Sequence, residues 1–268
     1  MTRLHYTLAD AKRWGAFSGD DNPIHFDLAA ARAMGGESLS VHGMRALLDV
    51  KQDAQRRLPS SLSNTEGYLK CLVRLRQPLW CDTDWLLASG VAKNRVLSAA
   101  TVSDPQNDEV CLSCQMSLVA EPESLVDKQP SALSPETVLA LQSQFNDSWP
   151  DLAQWQFLDA LLFRQLISDK ALLRQESIAA LLGPEDISLQ DIFARYPVLQ
   201  THQEVVFDAR LAQKRPLIDP ESLSLWLLPS LVVGQVETGA VVRIAAAAQQ
   251  ENMIMTNVVT LKIGQVTN

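Results

Sequence analysis

Twice along this chain, helix-period sequence gives way to four short segments that alternate with period two, and that order limits the folds available. Leu69, Cys71, Val73 and Leu75 alternate with Lys70, Arg74 and Arg76, and only Leu72 breaks the pattern. Segments near 83–93, 95–103 and 109–119 continue it, and "SDPQNDE" at 103–109 has the composition of a turn. Further strands are predicted near 203–212, 222–233, 238–248 and 252–263. Short strands joined by polar turns pair antiparallel, and helices must cover one face of the sheet. The predicted class is therefore α+β.

The helical segments carry their own punctuation. Thr7 with Asp10 has the spacing of a capping box, opening a helix through about Phe17, and Gly19 can end it. Asp27 can cap a short helix, "LAAARAM", closed by Gly35-Gly36. "VHGMRALLDVKQDAQRRL" reads as a longer helix with Met44, Leu47, Leu48, Ala54 and Leu58 near one stripe. Residues 121–134 are polar and proline-bearing, as a linker would be, and Ser134-Pro135 can start a new helix. Helices are expected near 135–145, 150–167 and 170–182. The domain reading is thus 1–120, a linker at 121–134, and 135–268. The second half echoes the first: "VVFDARLAQKRPL" follows "CLVRLRQPL", each closing on Pro-Leu, and "FNDSWP" at 145–150 echoes "FSGDDNP". A matching element order points to duplication.

Composition narrows the function. The net charge is -8, which disfavours nucleic acid and anionic membrane surfaces, both of which recruit basic faces. No apolar run approaches the roughly 20 residues that span a bilayer, and the first residues show no secretory h-region. Four cysteines in 268 residues do not make a disulfide framework, which fits a reducing cytoplasm. Cys111 and Cys114 form a C-x-x-C. It lies in "EVCLSCQMSLV", where Val110, Leu112, Cys114, Met116 and Leu118 share one face of a strand. Positions three apart then face opposite ways, so the two sulfurs diverge and neither a redox pair nor a zinc site is expected.

The stretch "FSGDDNPIH" carries the chemistry. Asn22-Pro23 biases the backbone toward a turn, and Gly19 relaxes it beforehand. Such a loop can fold back and bring Asp20 and His25 to one water or one substrate. A carboxylate beside an imidazole suits proton transfer near neutral pH. By spacing alone, the simpler reading is that Asp20 caps a turn and His25 is a half-buried surface histidine.

Ser18-Gly19-Asp20-Asp21-Asn22-Pro23-Ile24-His25, followed by His42-Gly43-Met44, resembles the MaoC-like family of hot-dog proteins. That family holds the (R)-specific enoyl-CoA hydratases and related 3-hydroxyacyl-thioester dehydratases. The resemblance covers about residues 5–120. It implies a long helix wrapped by an antiparallel sheet, and two such units paired. In this chain the pair would be fused into a double hot dog with a degenerate second unit, standing as a monomeric pseudo-dimer or forming a homodimer. It implies reversible hydration of a trans-2-enoyl thioester to the (R)-3-hydroxyacyl thioester, on coenzyme A or acyl carrier protein, with no metal or redox cofactor. Asp20 and His25 would handle the water and the protons. Gly43 would offer its N–H to the thioester oxygen. Ser18, Asn22 and His42 would support them, His42 as a cap of the helix. Helix N-termini present free N–H groups and the positive end of the dipole, which gives the Gly43 role a physical basis.

The sequence departs from the family pattern before His42, in "GGESLSVHGM", and at Arg45, which could meet a phosphate but is expected to be a solvated helix residue. Arg74, Arg76, Lys93 and Arg95 are either contacts for an anionic carrier or a solvated face of the sheet. A non-catalytic thioester-binding or assembly subunit and an acyl-thioesterase are the alternative functions.

Overall fold

The computed structural model describes the chain except residues 60–61, 63–66, 91–94, 123–129, 131–132, 169–171, 173–174, 183–191, 193–195, 214–217, 236–237 and 265–268. Most of the expected linker, Lys93 and the 214–217 echo fall outside the described residues.

The first half runs β1 (Thr2–His5), α1 (Leu8–Ser18), a 3-10 turn (Pro23–His25), α2 (Leu28–Ala33) and α3 (Gly43–Arg56), then β2 (Tyr68–Leu75), β3 (Asp84–Gly90), β4 (Val96–Ser103) and β5 (Val110–Val119). The second half follows with α4 (Pro135–Ser148), α5 (Gln154–Ser168), α6 (Glu176–Leu182), β6 (Val198–Asp208), β7 (Leu223–Gln235), β8 (Gly239–Gln250) and β9 (Met253–Ile263). Among the described residues, nine strands form one antiparallel sheet in the order β1-β3-β4-β5-β2-β6-β9-β8-β7. Apart from β1 on the outer edge, that order is a palindrome about the β2–β6 junction. Strands β2, β3, β4 and β5 correspond to β6, β7, β8 and β9. The halves join where β2 meets β6 antiparallel, from Tyr68 opposite Asp208 to Arg74 opposite His202. Helix α3 packs on β3, β4 and β5, and α5 packs on β8 and β9. The fold is an α+β double hot dog, and the duplication is plainer in topology than in residues.

Local chemistry explains most element ends. Asp10 reaches back to accept from the Thr7 N–H at 3.0 Å, and Gly19 closes α1 at φ 75, a left-handed conformation that only glycine adopts without cost. Asp27 accepts from Ala29 N–H at 2.7 Å, and Ser134 accepts from Thr137 N–H at 3.2 Å. After Asp208 the chain turns into a 3-10 segment, Ala209–Ala212, because the Asp208 carboxylate captures the Arg210 N–H at 2.9 Å. The expected strand at 203–212 therefore begins and ends earlier. His202 lies inside β6, exposed, not at a strand start. Thr2–His5 forms an edge strand that the pattern did not announce.

Two expectations fail in the packing. Leu118 is 53% exposed, so the buried face of β5 ends at Met116. Arg45 is not solvated: its guanidinium binds Asp49 at 2.8 Å, lies 3.8 Å from Asp10, and sits over the Tyr6 and Trp149 rings. Arg45 fastens α3 to the α1 region. Cys111 and Cys114 are buried free thiols, and Cys114 Sγ lies 3.4 Å from Cys71 Sγ.

The halves share one core. Trp14 and Phe17 of α1 pack with Phe145 and Trp149 at the end of α4, and Phe163 of α5 lies 6.2 Å from Trp14. At the junction a polar knot is fully buried. Lys51 of α3 donates to Asp159 of α5 and, at 2.6 Å, to Gln203 Oε1 of β6. Gln203 Nε2 donates to Asp159 at 2.8 Å and to Asn257 Oδ1 at 3.1 Å, and Asn257 Nδ2 donates to Asp159 at 2.9 Å. Every member has partners, which is what makes such a charge pair tolerable away from water.

Candidate active site

The first unit places residues 19–42 between the end of α1 and the start of α3. In the second unit, α4 and α5 are joined by residues 149–153 alone. The insertion is therefore confined to one half, and so is the motif it carries.

The loop is wound by its own polar groups. Asp20 N–H donates to Ser18 Oγ at 3.1 Å, Asn22 N–H to Asp20 Oδ1 at 3.3 Å, and Ile24 N–H to Asn22 Oδ1 at 3.3 Å. Asn22 caps the Pro23–His25 turn, whose single revolution swings His25 back toward Asp20. Ser40 N–H donates to the Ile24 carbonyl at 3.0 Å, and Val41 N–H to the Leu79 carbonyl at 2.8 Å, which seats the loop's return on the sheet end. Gly36 lies flat against Trp80; a Cβ there would sit 2.4 Å from the ring. From the second unit, Arg164 of α5 donates to the Phe17 carbonyl just ahead of the loop.

The result brings Asp20, His25 and His42 together, all buried, with one carboxylate or ring atom of each within 4.8 Å of the others. Backbone carbonyls fix both imidazoles, since a carbonyl can only accept. His25 Nδ1–H donates to Ser40 O at 2.7 Å, and this leaves its Nε2 with a free lone pair. His42 Nε2–H donates to Asp20 O at 3.0 Å, and its Nδ1 is buried without a partner. The rings stack 3.6 Å apart with planes inclined by 24°. His42 thus stands at the N-cap position of α3, but its side chain makes no cap; it pins the loop and backs His25. The trio has the donor types of a zinc site. The stacked rings place their in-plane lone pairs in two nearly parallel planes 3.6 Å apart.

Burial sets the protonation behaviour. It pushes the Asp20 carboxyl up, and the His25 charge and the Asn22 N–H oppose it in part. It pulls His25 down, against Asp20 and the Ser40 carbonyl. It pulls His42 well down, with His25 adding to the effect. The site favours neutral imidazoles beside a carboxyl that is less acidic than usual.

Asp20 and His25 line a cavity of about 160 Å³, and His42 lies behind them. Asp20, Asn22, His25, Ser40 and Gly43 line one side. Phe163, Val198, Gln200 and Leu261, all from the second unit, line another. Gly43 is the first residue of α3, so its N–H has no acceptor within the helix. An added Cβ there would lie 2.7 Å from Leu75 Cδ2 and 3.5 Å from Gln200 Oε1. Arg76 lies at the exposed rim, donating to Ser113 Oγ at 2.8 Å. Arg74 and Arg95 are exposed but do not line the cavity. The anchoring role of Ser40 had no signal in the sequence, and the residues of the second-unit wall had none beyond the family resemblance. Both arise from contacts between segments far apart in the chain.

No protein-family model matches the chain, and no curated protein matches it. Among solved structures it is similar to a protein described as a MaoC-like dehydratase, at 10% identity over 98% of this chain and 96% of that one, with a TM-score of 0.48. It is similar to the R-hydratase PhaJ1 from Pseudomonas aeruginosa, at 20% identity over 50% of this chain and 88% of that one, TM-score 0.34. It is also similar to acyl-CoA thioesterase II TesB2 from Mycobacterium marinum, at 10% identity over 85% of this chain and 91% of that one, TM-score 0.42. At these identities the likeness carries no activity across.

Proposed function

We propose that this chain catalyses the reversible hydration of a trans-2-enoyl thioester to the (R)-3-hydroxyacyl thioester. The observation that carries the reading is the convergence of buried Asp20 and His25 on a cavity that also holds the start of α3. In hydration, a water held between the Asp20 carboxylate and His25 Nε2 gives its oxygen to C3 and a proton to the pair. A proton is delivered to C2 as the enolate collapses. The charge that builds on the thioester oxygen between these events falls beside the Gly43 N–H. One such donor is worth about 3–4 kcal/mol in the transition state. Dehydration runs the same steps backward. His42 and Ser40 hold the dyad in place and fix which imidazole nitrogen faces the substrate.

The test is the loss of enoyl-thioester absorbance from crotonyl-CoA, with wild type, Asp20→Asn and His25→Ala in parallel. The expected result is loss with wild type alone and no release of free thiol. Thiol release would make the chain a thioesterase. Silence on crotonyl-CoA, longer enoyl-CoAs and an acyl-carrier-protein substrate would leave a non-catalytic thioester-binding protein.

A further inference from the structure

Helix α1 ends at Ser18, two residues before Asp20, so its last turn sets where the loop begins. We infer that Arg164, on α5 of the second unit, is a positioning residue for the Asp20–His25 pair and acts through the end of α1. The inference deepens the hydration reading, and its kinetic test rests on that reading.

The last turn of α1 carries no basic residue of its own. The last carbonyls of a helix lack partners within it and form the negative end of its dipole, so a cation there is favourable. Gly19 N–H takes the Gly15 carbonyl at 2.8 Å, and the Arg164 guanidinium, from the other unit, takes the Phe17 carbonyl. Side chains of the second unit grip the same turn. The Phe17 ring lies 5.3 Å from Phe145 and 6.1 Å from Trp149, and Trp14 lies 6.2 Å from Phe163, the residue before Arg164.

The Phe17 carbonyl and the Ser18 N–H belong to one rigid peptide plane. From Ser18 a chain of short links runs to the pair. Asp20 N–H donates to Ser18 Oγ, Asn22 N–H to Asp20 Oδ1, and Ile24 N–H to Asn22 Oδ1, with His25 next in line. Each link spans two residues, so a shift of the Phe17 peptide is passed to Asp20 and then to His25. On the far side, Ser40 O holds His25 and the His42 ring holds the Asp20 carbonyl. The loop is thus clamped between its own return segment and the second unit. Burial, the His25 charge, the Asn22 N–H and Asp21 set the Asp20 carboxyl, so Arg164 acts on the position of the pair rather than on its charge. Misplacing reacting groups by about 1 Å costs about 10²-fold in rate.

The experiment uses the full chain as wild type and as Arg164→Met, which keeps the apolar stem and removes the donors. Melting curves establish folding. Amide hydrogen exchange over residues 17–27 is compared with that of β2, and kcat and KM are measured on crotonyl-CoA. Arg164→Met is expected to speed exchange over 17–27 at least tenfold with β2 unchanged. It is expected to lower kcat at least tenfold with KM within threefold. Loop exchange within twofold of wild type, kcat within twofold of wild type, or equal loss of protection in β2 would overturn the assignment. If Arg164→Met does not fold, Arg164→Gln, shorter and uncharged, is read by the same criteria. If neither folds, Arg164 holds the whole fold rather than the loop, and the assignment is overturned. If wild type hydrates no enoyl-CoA, the hydration reading fails, and loop exchange alone decides whether Arg164 positions the pair.

Discussion

Replacing Gly43 with proline removes one backbone N–H at a position that tolerates the change. Proline is accepted at the first residue of a helix, where the N–H has no internal acceptor. The residue before a proline must be extended, and His42 already sits at φ -58, ψ 122. The Cβ part of the steric cost is separable, because Gly43→Ala brings a Cβ to the same place, 2.7 Å from Leu75 Cδ2. That neighbour is the far end of a flexible, half-buried side chain and can move aside. Alanine also favours the helix by up to about 1 kcal/mol over glycine, so the stability change should be small. Catalysis should respond differently. Losing one oxyanion donor costs about 2.7–4 kcal/mol, a factor of about 10²–10³ in kcat. The assay is crotonyl-CoA hydration at saturating substrate, with melting curves for both variants. Gly43→Pro is expected to fall about 10²–10³-fold below Gly43→Ala in kcat while remaining folded. A folded proline variant within threefold of the alanine variant would refute the assignment of this N–H to the thioester oxygen.

Asp159→Leu strands the Lys51 ammonium in the core and should cost about 3–5 kcal/mol in urea unfolding. Lys51→Met with Asp159→Leu leaves chiefly Gln203 Oε1 unpaired and should cost only about 1–3 kcal/mol. A double variant no better than the single one would show that the charge is not the problem. Burial holds His25 and His42 below the ordinary imidazole value of about 6.5. The unfolded chain then takes up protons that the folded chain refuses. Stability is fully present above about pH 6.5 and falls as the pH drops below it. Melting temperature should decline from pH 7 to pH 5, and less steeply in His42→Phe; an equal slope would remove His42 as a contributor. Arg76→Gln should raise KM for a CoA substrate about two- to fivefold, as expected for one exposed charge, and the effect should vanish in high salt. An unchanged KM at low salt would place the carrier elsewhere.

How much was legible depends on how local each contact is. Capping by Asp27 and Ser134, the left-handed turn at Gly19, and the alternation of β2 are settled within a few residues, and they stand as written in the sequence. The loop "SGDDNPIH" likewise folds on itself, since Ser18, Asp20 and Asn22 all bond to backbone within two residues. His42 and Arg45 were misread because their partners are remote: the Asp20 carbonyl for one, and Asp10 with the Tyr6 and Trp149 rings for the other. The start of β6 was misplaced because Val198–Gln200 is set by pairing with β9, not by its own alternation.

By itself, then, the sequence determined the α+β class, several helix caps, and the presence of Asp20 and His25 on one short loop. Periodicity, caps and turns act over one or two turns of chain. Only the tertiary structure decided the palindromic strand order, the buried knot from Lys51 to Asn257, the tautomers that Ser40 and Asp20 impose on the two histidines, and the second-unit wall of the cavity. Each of these joins residues far apart in the chain, and such contacts leave no local period or spacing to read.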